Sequence, residues 1–472
     1  MFEATLSIDL GASYTKVVYR PACVPKEVGT IQSEAKVLME SAPPPIIRSA
    51  LIPSLAIRTR DKAKPWVFGW EAAALNPDAS MSVFQNWKAD LFRPHNDKDS
   101  VAAAIIAHRF FDWLRLNLES KGIDVKACQT RIAMPAFDTF DDNALLVARC
   151  MDLSGWNDPT LILKVREPHA NAIGLFAAGK NVVMRNAANE MAVNYGQMFG
   201  QDNPYIQAAR GFALLGNHTN LLTVLVVDVG AFTTDFAKLT FDFTKAADGL
   251  SAIKPESHAL GIINELDKPL FKALEARHGF SWSSINFFQR EDVKNKLYQG
   301  KPYPLQTLVN NIPKTVELGD AGDLEIIEKA ANKFSASILE KIAPFIATET
   351  PSHVYLTGGG SLISYVAKKL KSAFTDLKIQ VVPVDNGDGA IGTEEQRLWR
   401  NTGEGLQRLA TAVGGASVIL QEAAAPIQKD RASLQQLPPI VAHPPEGYKT
   451  CRCQGGNKDC CFCFGSGFYP NG

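Results

Sequence analysis

The sequence predicts an α/β fold built as two related lobes, and three observations carry that reading. The motif Asp-x-Gly-Ala-x-x-Thr occurs twice, at Asp9–Thr15 and again at Asp228–Thr234, each time after an apolar run and before another. A widely separated internal repeat of this kind points to two structurally related halves. Strand-like and helix-like segments then alternate along most of the chain, which is the pattern of sheets covered by helices. Finally, 46% apolar and 21% charged residues are ordinary for a globular chain, and 472 residues suffice for two or three domains.

Each copy of the repeat reads as a strand, a tight glycine turn and a second strand. The first copy is Ile8-Asp9-Leu10-Gly11-Ala12-Ser13-Tyr14-Thr15-Lys16, and the second is Val227-Asp228-Val229-Gly230-Ala231-Phe232-Thr233-Thr234-Asp235. Turns of this sort present backbone N–H groups to an anion such as a phosphate chain. An aspartate at the end of each first strand is placed to hold a hydrated cation.

The elements follow in order. Pro43-Pro44-Pro45 leads to an extended segment, Ile52–Ile57, and an Ala-rich helical piece starts at Trp70. Asp99-Ser100 caps a long amphipathic helix that Lys121-Gly122 ends. Thr130–Met134 is a strand, Thr139 with Asp142 forms a capping box, and Leu161–Val165 is a strand before Glu167-Pro168 and a small-residue helix. Residues 179–216 are polar and rich in Asn and Gln. Beyond the second hairpin the chain reads as mostly helical, over 258–278, 288–298 and 323–347. Strand Val354–Leu356, Gly358-Gly359-Gly360, a helix and strand Ile379–Pro383 close the α/β pattern. A last helix over Gln407–Gln421 precedes a proline-rich tether.

Charge and targeting narrow the function. Lys+Arg and Asp+Glu are both 49, so the net charge is zero and nucleic acid is not indicated as a partner. The first residues lack a basic segment and the apolar run stops at Asp9, so no signal peptide is expected; the most apolar stretch, near 221–229, is too short to span a bilayer. A cytoplasmic protein with no membrane partner is the expectation. Three of the eight cysteines, Cys23, Cys128 and Cys150, are scattered, and five crowd into 451–463. In a chain without an export signal that crowding favours metal over disulfides.

Taken together, these motifs resemble the nucleotide-binding domain of the seventy-kilodalton heat-shock (DnaK-type) chaperones, within the actin-like ATPase superfamily. The resemblance covers about residues 5–400. It implies a two-lobed actin-like ATPase of ribonuclease-H-like duplicated domains, with nucleotide in the central cleft: lobe I over about 1–220 and 385–400, lobe II over about 221–384. Residues 401–447 then form a helix and linker, and 448–472 a Cys-rich zinc knuckle. Asp9–Tyr14 is similar to the family's first phosphate loop, with Ala12 and Ser13 where two threonines are usual. Asp228–Asp235 is similar to the second, with Ala231 and Phe232 in place of glycines. Ile52-Pro53-Ser54 resembles the family's Thr-Pro-Ser element. Val83–Lys88 resembles the segment carrying a catalytic lysine, and Met134-Pro135 a hinge. Glu167-Pro168 matches the family's Glu-Pro, although His169-Ala170-Asn171 replaces Thr-Ala-Ala. Glu291–Leu297 is similar to the adenosine-contacting helix, and Gly358-Gly359-Gly360 to the adenosine loop.

The roles implied are those of an Mg-dependent ATP hydrolase. Lys88, Glu167, Asp228 and Thr233 would be catalytic, with Asp9 and Asp228 holding Mg²⁺ through water. Gly11, Ala12, Ser13, Tyr14, Lys16, Gly230, Ala231, Phe232, Glu291, Lys294, Gly358, Gly359 and Gly360 would contact ATP or ADP. Each residue also has a plainer reading: Glu291 and Lys294 stand one helical turn apart, as on any salt-bridged face. Cys460-x-x-Cys463-x-Gly-x-Gly resembles a knuckle of J-domain co-chaperones, and Cys451, Cys453, Cys460 and Cys463 suffice for tetrahedral Zn²⁺, with Cys461 able to replace Cys460. The chain lacks room for the family's peptide-binding domain, so a partner protein or co-chaperone would read the ATPase through linker and knuckle. Alternatives are a filament-forming actin-like ATPase, which Lys16 favours, a small-molecule kinase, and a degenerate ATP-binding scaffold.

Overall fold

The structure is a computed structural model describing residues 3–22, 36–38, 40–42, 48–61, 63–76, 81–92, 98–156, 162–179, 221–242, 250–282, 285–309, 312–347, 349–382, 384, 405–417, 425–426, 448–450 and 468–470. It is a mixed α/β protein that divides into two compact units, residues 1–165 with 418–472, and residues 166–417. Residues 180–216 and the five clustered cysteines lie outside the described residues. No described helix is long and apolar enough to cross a membrane.

The first unit is built on β1 (Thr5–Leu10), β2 (Tyr14–Arg20), β3 (Lys36–Val37), β10 (Gln129–Met134) and β11 (Ile162–Arg166). Between them come β4 (Glu40–Ser41), β5 (Arg48–Ser49), β6 (Ile52–Pro53), β7 (Ala56–Arg58), β8 (Trp66–Phe68) and β9 (Ser82–Phe84). The main sheet has the order β3-β2-β1-β10-β11, extended at one edge by a bridge to Ala425–Pro426. β1 runs antiparallel to β2 and parallel to β10. All six residues of β1 are buried, as expected of a strand with helices or other structure on both faces. Helices α1 (Gly69–Ala74), α2 (Trp87–Leu91), α3 (Lys98–Ser120) and α4 (Phe140–Leu153) belong to the same unit. Their core is aromatic: Phe110 meets Phe68, Trp87, Phe111 and Trp113 with ring centroids 5.4–6.0 Å apart. The expected capping box at α4 does not form. Thr139 makes no side-chain cap, because its hydroxyl instead accepts from Asn143 Nδ2 at 3.1 Å.

The second unit repeats the plan. Its sheet, β14-β13-β12-β17-β18, comprises β12 (Leu221–Val229), β13 (Thr234–Asp242), β14 (Leu250–His258), β17 (His353–Thr357) and β18 (Gln380–Val382). β12 is antiparallel to β13 and parallel to β17, so strand order and sense match those of the first unit. Helices α5 (Glu167–Gly179), α6 (Lys268–His278), α7 (Phe287–Leu297), α8 (Ala321–Ala347), α9 (Ser364–Asp376) and α10 (Leu406–Ala416) surround it. A hairpin, β15 (Tyr303–Val309) with β16 (Ile312–Leu318), stands beside the sheet.

Two strand regions lie outside the three helices expected here and were not anticipated. β14 carries Pro255, which reads as a breaker, yet β14 is an edge strand, where a missing N–H costs no ladder bond. The β15–β16 hairpin lay hidden because most of its residues are exposed or half-exposed, so its apolar residues mark no continuous face. The helix expected over 407–421 is described as α10 and belongs to the second unit.

Candidate functional site

In the first unit the turn between β1 and β2 is tightly bound by its own chain. Gly11 N donates to Asp9 O at 3.0 Å, and a Cβ on Gly11 would fall 2.1 Å from Tyr14 O, so the turn admits glycine alone. Asp9 and Lys16 face each other in the register, and Lys16 Nζ donates to Asp9 Oδ2 at 2.8 Å. The ammonium expected near a phosphate chain is thus bound to the aspartate expected near the cation. Ile52-Pro53-Ser54 straps the same turn. Ser54 N donates to Ser13 O at 2.9 Å, and its Oγ donates to Gly11 O at 2.6 Å and lies 3.0 Å from Thr15 Oγ1.

Lys88 lies in the same unit, on the short helix α2, and is only 3% exposed. Its neighbour Trp87 is pinned against Phe110, and Asn86 ahead of it holds a left-handed φ of 58° that asparagine tolerates better than most residues. The Lys88 ammonium is 5.9 Å from the Phe92 ring centroid.

In the second unit the corresponding aspartate sits in a polar cluster drawn from four elements. Asp228, near the end of β12, accepts from Asn171 Nδ2 at 2.6 Å. The same amide donates to Thr411 Oγ1 at 3.1 Å, and Asn171 Oδ1 accepts from Thr357 Oγ1 at 3.2 Å. Asn171 is 2% exposed, and these partners use both ends of its side chain. Glycines set the approach. α5 and α10 cross so closely that a Cβ on Gly174 would lie 1.9 Å from Ala410 O, and one on Gly414 would lie 1.8 Å from Ala170 O. That contact brings Asn171 to Thr411. Gly358 has φ +79°, and a Cβ there would fall 2.1 Å from Asp228 Oδ1.

The turn itself is braced from below. Gly230 N donates to Thr233 O at 2.9 Å, while Ile262 N and Ile263 N donate to Gly230 O and Ala231 O at 3.2 and 3.0 Å. Thr233 Oγ1 donates to Asp235 Oδ2 at 2.8 Å, so that hydroxyl's proton holds the turn. Ala231 and Phe232 are half-buried beside it. Gly359 differs from its neighbours, since among the described residues a Cβ there would meet nothing within 4 Å. The packing of the described residues places no demand for glycine at that position.

Glu167 is buried at the first position of α5, the helix that carries Asn171 one turn later. His169 follows it, and burial together with nearby Arg166 holds its imidazole below the usual histidine value. Glu291 and Lys294 form a separate network: Lys294 Nζ lies 2.9 Å from Glu291 and 3.0 Å from Asp267, whose other oxygen accepts from the Tyr298 hydroxyl. Burial disfavours the Lys294 charge, but the carboxylates of Asp267 and Glu291 outweigh it and hold the ammonium above the ordinary lysine value. Cys128 and Cys150 are buried thiols, pushed up by burial to about 11 and about 12, which makes them poor nucleophiles.

Sequence reasoning singled out Asp228, Gly230 and Gly358, but not Asn171, Thr357, Thr411 or Gln407. Gln407 O accepts from Gly358 N at 2.8 Å, and its Nε2 donates to Leu356 O and Ser361 Oγ. Asn171 carried one legible signal, its place one helical turn after Glu167. Thr411 carried none, because only the helix crossing brings it near. The site and fold define a class: a mixed α/β protein whose two sheets share one strand order and each carry an Asp-x-Gly hairpin. No protein-family model and no curated protein matches the chain.

Proposed function

We propose that the chain is an ATP-binding, Mg-dependent ATPase that works as a nucleotide-driven switch, resembling the chaperone nucleotide-binding domain. The observation that supports this most is the repetition of one Asp-x-Gly hairpin at the same place in two sheets of the same order. The open approach to Gly359 supports it further, since close contact with a ligand gives a reason for glycine that the packing does not.

On this reading the turns at Gly11–Tyr14 and Gly230–Phe232 offer backbone N–H groups to the phosphates. Lys88 neutralises charge on the transferring group, and Glu167 orients the attacking water. The bond from the γ-phosphorus to its bridging oxygen breaks as one to the water oxygen forms, releasing ADP and inorganic phosphate. Asp9 and Asp228 are carboxylates of the oxygen type that a hydrated Mg²⁺ takes, and the bound ion would neutralise phosphate charge. Asn171 keeps the Asp228 carboxylate aimed without cancelling its charge. Glu291 and Lys294 would meet the adenosine from within their network with Asp267. The Cys451, Cys453, Cys460 and Cys463 thiolates would hold Zn²⁺ and present a surface to a partner protein.

Lys88→Ala is expected to lower phosphate release from ATP by about 100-fold or more while nucleotide binding persists. Wild-type turnover in that variant would end the catalytic assignment. Filament formation loses its main support from the sequence, because the Lys16 ammonium is engaged by Asp9.

A further inference from the structure

The second unit contains an open groove of about 1050 Å³, away from the hairpin turn, between α9, β18 and the start of α10. Lys368, Lys371 and Lys378 line it, and among the described residues no acidic side chain does. All three are exposed, and among the described residues none makes an ion pair. In a chain of zero net charge this is a local excess of one sign. The groove's lip also carries Leu362, 48% exposed, and its wall is the apolar edge of β18.

Lys378 is placed there against backbone preference. α9 ends in a Schellman turn, with Ile379 N donating to Phe374 O at 2.8 Å and Lys378 N to Thr375 O at 2.9 Å. The residue between those bonds must be left-handed, and glycine is the usual occupant. Here it is Lys378, at φ +59°. A side chain kept where glycine would relieve strain is a mark of use rather than of folding.

We infer that this groove binds an acidic, extended polypeptide segment of a partner protein. Lys368 and Lys371 stand one turn apart, and Lys378 lies two residues past the helix end, so the charges run over roughly 15 Å at the helical rise. That span is about four to five residues of extended chain. It is too long for a single phosphate or carboxylate to satisfy. Leu362 and the β18 edge then take apolar side chains alternating with the acidic ones. The groove is also wired to the candidate site, because Gln407 lines it while holding Gly358, which abuts Asp228.

The test uses the full chain without nucleotide, so that its failure is distinct from failure of the ATPase reading. A fluorescent peptide of alternating Glu and Leu is titrated and followed by anisotropy, beside a Gln-for-Glu peptide and a single-stranded oligonucleotide. Binding of the acidic peptide is expected to weaken at least tenfold in K368E/K371E/K378E and to fall with added salt. Lys378→Gly separates binding from folding: the melting temperature should not fall, while the acidic peptide binds at least threefold more weakly. Equal binding by wild type and the triple variant, equal binding of the Gln peptide, or binding of the oligonucleotide alone would each overturn the proposal.

Discussion

In the first unit the hairpin aspartate, Asp9, is held by a cation from its own hairpin, Lys16, at 2.8 Å. In the second unit the corresponding aspartate, Asp228, is held by a neutral amide, Asn171, whose helix is far away in sequence. The strand order around the two is the same. A cation within hydrogen-bonding distance cancels most of a carboxylate's charge, whereas an amide orients the carboxylate and leaves the charge in place. One sequence motif is therefore met by a cation in one unit and by a buried amide in the other.

The difference can be tested at the two aspartates themselves. Asp228→Ala is expected to lower ATP turnover about 1000-fold. Asp9→Ala should lower it about tenfold, since it also frees Lys16 to meet phosphate charge. Equal losses in a phosphate-release assay would break the distinction.

Gly174→Ala addresses what builds the second site. The added methyl must displace the Ala410 carbonyl, and forcing such a contact costs about 3 kcal/mol. A lowered melting temperature is expected, together with lost turnover as Asn171 parts from Thr411. A variant as stable as wild type would show that the crossing does not set the site.

The smallest effect is one of pH. Burial lowers the folded-state values of His169 and His353, both in the second unit, in each case with the uncharged imidazole favoured. The unfolded chain binds the protons more readily, so stability is fully present above about pH 6.5 and falls as pH drops through that value. Amide-exchange protection factors, which correct for the intrinsic rate at each pH, should then fall between pH 7 and 5.5 in α5 and β17 relative to β1 and β2. A uniform fall would place the acid sensitivity elsewhere.

Much of this is legible in the sequence. The two hairpins, the long α3 and α8, and the strands β10 and β17 follow from apolar periodicity and from glycine at turns, which are local properties. β14 was not legible, because it carries Pro255, which an edge strand accommodates, and an edge is a fact of the whole sheet. The same limit applied to Asn171. Its sequence neighbours show a polar residue in a small-residue helix, and only the packing of α5 on α10 reveals three partners for it.

The sequence by itself determined that two aspartates would end two strands, each followed by a glycine turn. The spacing of apolar and turn residues leaves the backbone little else to do there. It did not determine how each aspartate would be met. That depended on a lysine seven residues along in one case, and in the other on a residue 57 positions away that the packing of α5 brings to the end of β12. Long-range contacts carry no signature in a single sequence, because the chain pays for them only once the sheets and helices have packed.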